Sequence, residues 1–163
     1  MRLIRHCVLL VLLLVLASCS STHYYVVRHG EKLNQTDNSP LNEAGLRRAE
    51  ILADALSDKN ISRIYVSDKQ RTQQTAAPTA ALFNVDPIII PKAETDQLIA
   101  ELKEVNGKNV LVVRHAEEIH FIVNALSPSD TIAPIPDEFD NLFVITNRRF
   151  LGQRTSYLER RKY

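Results

Sequence analysis

The sequence is poor in cysteine, glycine and tryptophan: its 163 residues include two cysteines, four glycines and no tryptophan. So few glycines exclude a collagen-like repeat, and 45% hydrophobic with 24% charged residues excludes a low-complexity chain. Long apolar runs are also missing. The run from Cys7 to Ala17 has 11 residues, whereas a membrane-spanning helix needs about 20. The sequence therefore excludes a multi-pass membrane protein and predicts one globular domain.

The amino-terminal segment has the pattern of a secretion signal. Arg2 and Arg5 precede the apolar run, whose length fits a signal peptide better than an anchor helix. We therefore predict that residues 1–18 are a signal peptide. Without its two arginines, the chain has 18 Lys and Arg against 19 Asp and Glu, a net charge of −1. This near-neutral balance gives no argument for nucleic acid as a partner.

The positions of the two cysteines extend this prediction. Cys7 lies inside the predicted signal peptide and Cys19 directly follows it, so no disulfide can form within the mature chain. The stretch Leu16-Ala17-Ser18-Cys19 resembles the lipobox of bacterial lipoproteins. The resemblance implies cleavage before Cys19 and diacylglycerol attachment to it. Ser20 at the next position implies sorting to the outer membrane, facing the periplasm. The alternative is an ordinary cleaved signal with an incidental cysteine.

We expect residues 19–22 to form a lipidated tether and residues 23–163 to form the folded domain. In that domain, short apolar runs rich in β-branched residues alternate with amphipathic stretches. The runs predict strands at residues 24–27, 61–66, 88–90, 110–113 and 142–145. Helical periodicity predicts helices at residues 46–56, capped by Asn42, at 68–83, kinked or split by Pro78, at 94–105 and at 117–126. This order predicts an α/β fold, a three-layer α/β/α sandwich with a mostly parallel open sheet.

Histidine and arginine follow several predicted strands, where ligands bind in open α/β sheets. Arg28 and His29 follow the first strand, Arg71 follows the second, and Arg114 with His115 follows the fourth. Arginine matches the oxygens of phosphate, and a neighbouring histidine can attack phosphorus. A second, protonated histidine can neutralise the charge on phosphate. Each residue alone is typical of a solvated position, and their joint placement favours a phosphate site.

Four segments together resemble the histidine phosphatase superfamily, which has the phosphoglycerate-mutase-like fold. They are VVRHGEK at 26–32, LNEAGLRRA at 41–49, VSDKQRTQQTA at 66–76 and VVRH at 112–115. The resemblance implies that His29 becomes phosphohistidine, that Arg28, Arg71 and His115 form the phosphate pocket, and that water hydrolyses the intermediate. No metal or other cofactor is implied. The implied proton donor is Glu94, with Asp96 as second choice. Glu94 is equally well explained as a first-turn helix residue.

The segment around the second histidine departs from the family pattern. Members related to this pattern commonly carry Gly-His-Ser-Asn-Thr where this chain has Arg-His-Ala-Glu-Glu at 114–118. Carboxylates at Glu117 and Glu118 would repel phosphate unless they face away or act as acids. Arg114 is a candidate extra phosphate contact. The sequence therefore leaves two hypotheses. The first is a phosphatase that acts on a small phosphomonoester or a phosphoprotein. The second is a catalytically impaired lipoprotein that binds an anionic ligand or an envelope partner. A phosphoglycerate mutase is a third, weaker reading.

Two further segments bear on specificity and location. The acidic, proline-containing stretch 127–140 is either a loop that borders the site or a solvated connector. The stretch 147–163 has six Lys and Arg against one Glu. It either contacts an anionic membrane surface or forms a solvated edge strand and tail, and the second interpretation is favoured.

Overall fold

The computed structural model describes residues 20–135, 138–151 and 153–163. The predicted signal peptide at 1–18 and the predicted lipidation site Cys19 lie outside the described residues. Within the described ranges, no helix is long and apolar enough to cross a membrane.

Strands and helices alternate along most of the chain, as the sequence predicts. The described elements are β1 (Ser20–Arg28), α1 (Glu43–Ala55), β2 (Arg63–Val66), α2 (Gln70–Phe83), β3 (Ile88–Ile89), α3 (Thr95–Glu104), β4 (Asn109–Arg114), α4 (Ala116–Leu126), β5 (Asn141–Phe150) and β6 (Gln153–Lys162). The sheet order is β3-β2-β4-β1-β5-β6. Strands β1 to β4 pair in parallel, whereas β5 pairs antiparallel with both β1 and β6. The predicted mostly parallel, open α/β sheet is therefore confirmed.

Successive side chains of each strand point to opposite faces of the sheet, so both faces carry apolar side chains. A layer of helices covers each face, and the sheet is buried between the two layers. On one face, β-strand residues such as Val26 and Val112 pack with Leu98 of α3 and Ile122 of α4. On the other face, alternate strand residues pack with α1 and α2 in a second core. Both cores lie within residues 20–163, so this segment has the sheet and the packed layers of an independently folding domain.

Local chemistry explains the ends of the first two helices. Asn42 caps α1, since its side chain accepts a hydrogen bond from the Gly45 N–H at 2.9 Å, and the predicted cap is confirmed. Helix α2 continues through Pro78 to Phe83, so of the two alternatives predicted for Pro78, a kink or a split, the split is wrong. Proline removes one backbone donor, and the buried residues of α2, which include Thr75 and Thr79, keep the helix packed on both sides of it.

Two sequence predictions about the chain ends need correction. Residues 20–22 are not a tether, because Ser20, Ser21 and Thr22 belong to β1 and pair with Arg149, Arg148 and Asn147 of β5. The predicted edge strand near the carboxyl end is confirmed as β6. Its pairing with β5 extends to Lys162, so residues 153–162 form a paired strand and not a tail.

Candidate active site

The candidate site lies where three parallel strands end side by side. Arg28, the last residue of β1, pairs in register with Arg114, the last residue of β4. The next residue of each chain segment is a histidine, so His29 and His115 lie beside each other. Their ring centroids are 5.1 Å apart in a T-shaped arrangement. The parallel register therefore brings together two histidines that are 86 positions apart in the sequence.

Arg71 joins these two histidines from the first turn of α2. Its Nε donates to His29 Nε2 at 3.1 Å, and its Nη2 donates to His115 Nδ1 at 3.2 Å. Its Nη1 donates to the backbone oxygen of Asp37 at 2.6 Å. The side chain is buried, with 6% exposure. The predicted grouping of His29, Arg71 and His115 is therefore present in the structure.

The hydrogen bonds of His29 define its tautomer. A guanidinium N–H can only donate, so Nε2 of His29 accepts from Arg71. Nδ1 therefore carries the proton and donates to the backbone oxygen of Gly30 at 2.7 Å. Burial, with the nearby charges of Arg71 and Arg28, lowers the pKa of His29 to about 4 despite this bond to Gly30. At neutral pH the ring is uncharged, and its Nε2 lone pair is directed at a cation.

His115 is held in the complementary orientation. Its Nδ1 accepts from Arg71, so its Nε2 carries the proton and donates to Ser67 Oγ at 2.9 Å. Ser67 Oγ lies 2.9 Å from Thr72 Oγ1 and accepts from the backbone N–H of Lys69 at 3.2 Å. Burial, and then the proximity of His29 and Arg71, lowers the pKa of His115 to about 2. Both imidazoles are therefore neutral beside the positively charged Arg71.

Arg28 and Phe139 form one wall of the site. The Arg28 guanidinium lies over the Phe139 ring, 4.0 Å from its centroid, in a cation–π contact. The Phe139 ring is also 6.3 Å from the His29 ring. The carbonyl oxygen of Phe139 accepts a hydrogen bond from the Tyr163 hydroxyl at 3.1 Å. The predicted border loop 127–140 therefore reaches the site through Phe139, its single aromatic residue.

Close backbone packing holds the turn that follows His29. The Gly30 N–H donates to Thr75 Oγ1 at 2.9 Å. A Cβ on Gly45 would lie 2.5 Å from the backbone oxygen of Glu31, so only glycine fits where α1 meets this turn. Glu31 is in turn ion-paired with Arg48 of α1. The turn carrying the candidate nucleophile is therefore fixed by both α1 and α2.

The structure corrects the expectation that Arg114 contacts phosphate. The side chain is fully buried, and its Nη1 donates to the backbone oxygen of Ile90 at 2.6 Å. Its Nε and Nη2 donate to Glu118 Oε1 at 3.1 and 2.6 Å. The remaining Nη2 contacts are with the backbone oxygens of Pro91 and Lys92. Arg114 therefore binds the β3–α3 loop and Glu118 rather than the pocket between the histidines.

The two carboxylates after His115 do not act as a pair. Glu118 is buried against Arg114, and its Oε2 accepts from the His115 backbone N–H at 3.3 Å, which also places it at the first turn of α4. Glu117 is 60% exposed and forms an ion pair with Lys92 at 2.6 Å. The expected repulsion of phosphate is therefore offset by Arg114 at one carboxylate and by Lys92 at the other.

The predicted proton donors lie at the start of α3. Glu94 is the exposed residue preceding that helix, and its backbone oxygen accepts from the Leu98 N–H. Asp96 is in the first turn. Among the described residues, no hydrogen bond or ion pair joins either carboxylate to His29, Arg71 or His115. The assignment of Glu94 as proton donor stays a prediction.

Several residues of the site were not assigned a role from the sequence. Ser67, Thr72 and Thr75 belong to the quoted 66–76 segment, and their spacing around Arg71 at a strand-to-helix junction was an available signal. For Phe139 the only signal was that it is the single aromatic residue of the acidic stretch 127–140. No group of three or more His, Cys, Asp or Glu side chains within residues 20–135, 138–151 and 153–163 is arranged to hold a metal ion.

Sequence comparisons match part of the chain. Residues 24–94 match the model of the Histidine phosphatase superfamily (branch 1). Uncharacterized protein Rv0525 of Mycobacterium tuberculosis is 39% identical over 83 residues, covering 44% of this chain and 41% of that protein. Probable phosphoglycerate mutase GpmB of Yersinia pestis is 45% identical over 76 residues, covering 42% of this chain and 35% of that protein. The matched segments thus span less than half of either relative.

The structural comparison extends over most of the chain. A solved structure of the protein histidine phosphatase SixA complexed with tungstate has a TM-score of 0.68 and 21% sequence identity, covering 86% of this chain and 96% of that one. At this identity the likeness establishes a shared fold. The chain is therefore similar to the histidine phosphatase superfamily over residues 24–94, and over most of its length it shares the fold of SixA.

Two arginine–glutamate pairs, each four residues apart in the sequence, allow the role of Arg114 to be tested. Breaking the buried Arg114–Glu118 pair by Arg114→Met leaves an unpaired carboxylate, and we expect a loss of about 3 kcal/mol in the free energy of unfolding. The double change Arg114→Met, Glu118→Leu removes the unpaired carboxylate and should recover part of this loss. The control is Arg47→Met, whose partner Glu43 is 87% exposed, with an expected loss below about 0.5 kcal/mol. Urea unfolding measures all three, and equal losses for Arg114→Met and Arg47→Met would contradict this role.

The lowered histidine pKa values predict a pH dependence of stability. Between pH 6.5 and about 4 the unfolded chain binds more protons at His29 and His115 than the folded chain, so stability falls as the pH is lowered through this range. Relative to a His29→Asn, His115→Asn variant, the wild type should lose roughly 1–2 kcal/mol per histidine between pH 7 and pH 5. Urea unfolding at both pH values tests this, because contributions from other groups cancel in the difference. Parallel pH profiles of the two proteins are the contrary result.

Proposed function

We propose that this protein is a phosphatase that hydrolyses a phosphomonoester through a phosphohistidine intermediate on His29. The observation that carries the proposal is the neutral His29 ring, whose Nε2 lone pair faces the Arg71 guanidinium at 3.1 Å. A nitrogen that can attack phosphorus and a cation that can bind phosphate oxygens therefore lie next to each other. The match of residues 24–94 to the histidine phosphatase superfamily supports the same reaction class.

The proposed reaction begins when the phosphate group of the substrate enters between the two histidines and accepts hydrogen bonds from Arg71. Nε2 of His29 attacks phosphorus, the bond from phosphorus to the leaving oxygen breaks, and that oxygen takes a proton from a carboxylic acid, for which Glu94 is the candidate. The bond from Nδ1–H of His29 to the Gly30 oxygen stabilises the positive ring that forms. Water then gives a proton to the same carboxylate and attacks phosphorus, the N–P bond breaks, and free phosphate leaves with neutral His29 and the carboxylic acid restored.

We propose that His115 and Arg71 stabilise the transferred phosphoryl group together with Arg28. A phosphate dianion beside His115 favours its protonated form, so its pKa rises when substrate binds. The ring then donates from both nitrogens. The first turns of α2 and α4 also face this region, and their positive ends favour an anion.

For the substrate we propose a phosphorylated small molecule or protein. A cavity of about 370 Å³ beside the site is lined by Asp37, Asp68, Lys69, Pro91, Lys92 and Ala93. Its mixed charges suit a leaving group with both cationic and anionic parts. Similarity to SixA supports a phosphoprotein, and similarity to phosphoglycerate mutases supports a small metabolite.

The central prediction concerns His29. Residues 20–163 should hydrolyse p-nitrophenyl phosphate without added metal, and His29→Ala should lower kcat/KM by at least about 10³-fold because it removes the nucleophile. Rapid acid-free quenching should trap an acid-labile phosphoenzyme in the wild type alone. Arg47→Ala, which removes an exposed arginine of α1, is the control and should keep full activity. Full activity of His29→Ala would overturn the mechanism.

The same assay covers the proton donor and the alternative function. Loss of the donor slows alkyl phosphates more than p-nitrophenyl phosphate, whose leaving group needs no proton, so Glu94→Gln and Glu117→Gln are compared on both substrates. Vanadate binding without turnover across a panel of phosphorylated metabolites and peptides would favour an impaired lipoprotein that binds an anionic ligand or envelope partner.

We also propose that the protein is a lipoprotein of the outer membrane, facing the periplasm. The support is the amino-terminal sequence, in which Arg2, Arg5 and the apolar run precede Leu16-Ala17-Ser18-Cys19. Two or more acyl chains on Cys19 would hold the chain stably at a bilayer.

The lipid attachment is tested by metabolic labelling of the full chain in a Gram-negative host with an alkyne-bearing fatty acid. We expect label on the wild type and on Cys7→Ser, and complete loss of label in Cys19→Ser. Absence of label on the wild type, or its retention in Cys19→Ser, would contradict lipidation at this residue.

A further inference from the structure

The hairpin formed by β5 and β6 ends in two exposed apolar side chains. Phe150 and Leu151 are 48% and 61% exposed, at the point where the chain turns from one strand to the other. Exposed apolar side chains at a turn gain nothing from the protein core. Adjacent large apolar residues exposed at such a turn are typical of a surface that contacts another protein or a membrane.

Basic side chains surround this apolar pair. Arg148 is exposed, and Arg149 pairs in register with Arg154 across the hairpin. Arg149 and Arg154 each donate to the backbone oxygen of Lys103, at 3.0 and 2.8 Å. These bonds fix the hairpin end against the carboxyl end of α3 while leaving both guanidiniums partly exposed. Glu104 is an acidic residue of the same region.

We call this surface the hairpin tip and define it as Arg148, Arg149, Phe150, Leu151 and Arg154. It lies at the beginning of β1, because Ser20 pairs with Arg149 and Ser21 with Arg148. Cys19 is one peptide bond from Ser20, and consecutive Cα atoms are about 3.8 Å apart. Since residues 20–22 belong to β1, no tether separates the lipidation position from the folded domain. A bilayer attached at Cys19 must lie close to the hairpin tip.

We infer that the hairpin tip is a membrane-contact surface for an anionic bilayer. Phe150 and Leu151 enter the boundary between headgroups and acyl chains, and the three arginines contact lipid phosphates. The inference rests on the proposed attachment at Cys19. It adds an orientation that lipidation alone does not specify, since a lipid on a flexible tether would leave the domain free to rotate.

This orientation has a consequence for the substrate. Strand β1 extends from Ser20 at the hairpin tip to Arg28 at the site, and nine residues at about 3.3 Å each span roughly 26 Å along the strand. The site therefore opens away from the bilayer surface. Phosphorylated molecules or protein domains in the aqueous compartment can reach it, whereas the headgroups of the same bilayer cannot.

The orientation is testable with residues 19–163, whose one cysteine is Cys19 and which lack tryptophan. Coupling Cys19 to a maleimide lipid in vesicles of phosphatidylethanolamine and phosphatidylglycerol supplies the attachment chemically. Because the lipid is attached chemically, the experiment tests the orientation even if Cys19 is not lipidated in cells. With Phe150→Trp as reporter, we expect emission at shorter wavelength and quenching by brominated acyl chains. Ile89→Trp, at the opposite edge of the sheet and 55% exposed, should show neither. Identical behaviour of the two reporters would overturn the orientation.

A second experiment uses uncoupled residues 20–163 and co-sedimentation with the same vesicles. Phe150→Ser with Leu151→Ser should lower the partition coefficient by about tenfold or more. The matched control is Leu33→Ser with Leu46→Ser, which removes exposed leucines on other surfaces and should leave partitioning unchanged. Replacing phosphatidylglycerol by a zwitterionic lipid should also weaken binding. Equal effects of the two double variants, or binding to a DNA duplex but not to vesicles at the same ionic strength, would overturn the inference.

Discussion

The candidate site depends on one interaction, the three-way binding of the Arg71 guanidinium to His29, His115 and the Asp37 backbone. A guanidinium offers donors in a fixed plane, so its partners must present lone pairs in defined directions. Each histidine is thereby restricted to one tautomer. Burial, together with this charge, keeps the pKa of both rings low, so a neutral imidazole that can act as a nucleophile lies beside a cation that can bind an anion.

The tetrapeptide Val-Val-Arg-His occurs at the ends of β1 and β4, yet its two arginines have different surroundings. Arg28 and Arg114 are paired in register, so the difference comes from their neighbours. Arg28 meets the Phe139 ring on the β5 side. Arg114 meets the β3–α3 loop and Glu118 on the other side. Arg28 becomes part of the site wall. Arg114 supports the β3–α3 loop, which carries Lys92 beside the site.

The sheet also separates two chemistries along the length of β1. Its carboxyl end carries the histidines, and its amino end carries the hairpin tip with its basic and apolar side chains. The pairing of the strands creates this separation, because the parallel strands β1 and β4 end together at the histidines, whereas the antiparallel strand β5 ends beside the beginning of β1. In the proposed arrangement, the lipid attachment and the catalytic site lie at opposite ends of β1, so that membrane contact does not block the site.

The sequence by itself determined the α/β class, the positions of most strands and helices, and the identity of His29, Arg71 and His115 as one group. These features depend on local periodicity and on residue types at strand ends. Only the tertiary structure decided that residues 20–22 belong to β1, that Arg114 faces Glu118 and that Phe139 lies beside Arg28. Each of these depends on contacts between segments distant in sequence, and side-chain direction at a strand end depends on what packs there. Periodicity places a residue on a face, whereas its partner is set by the neighbouring strand or loop.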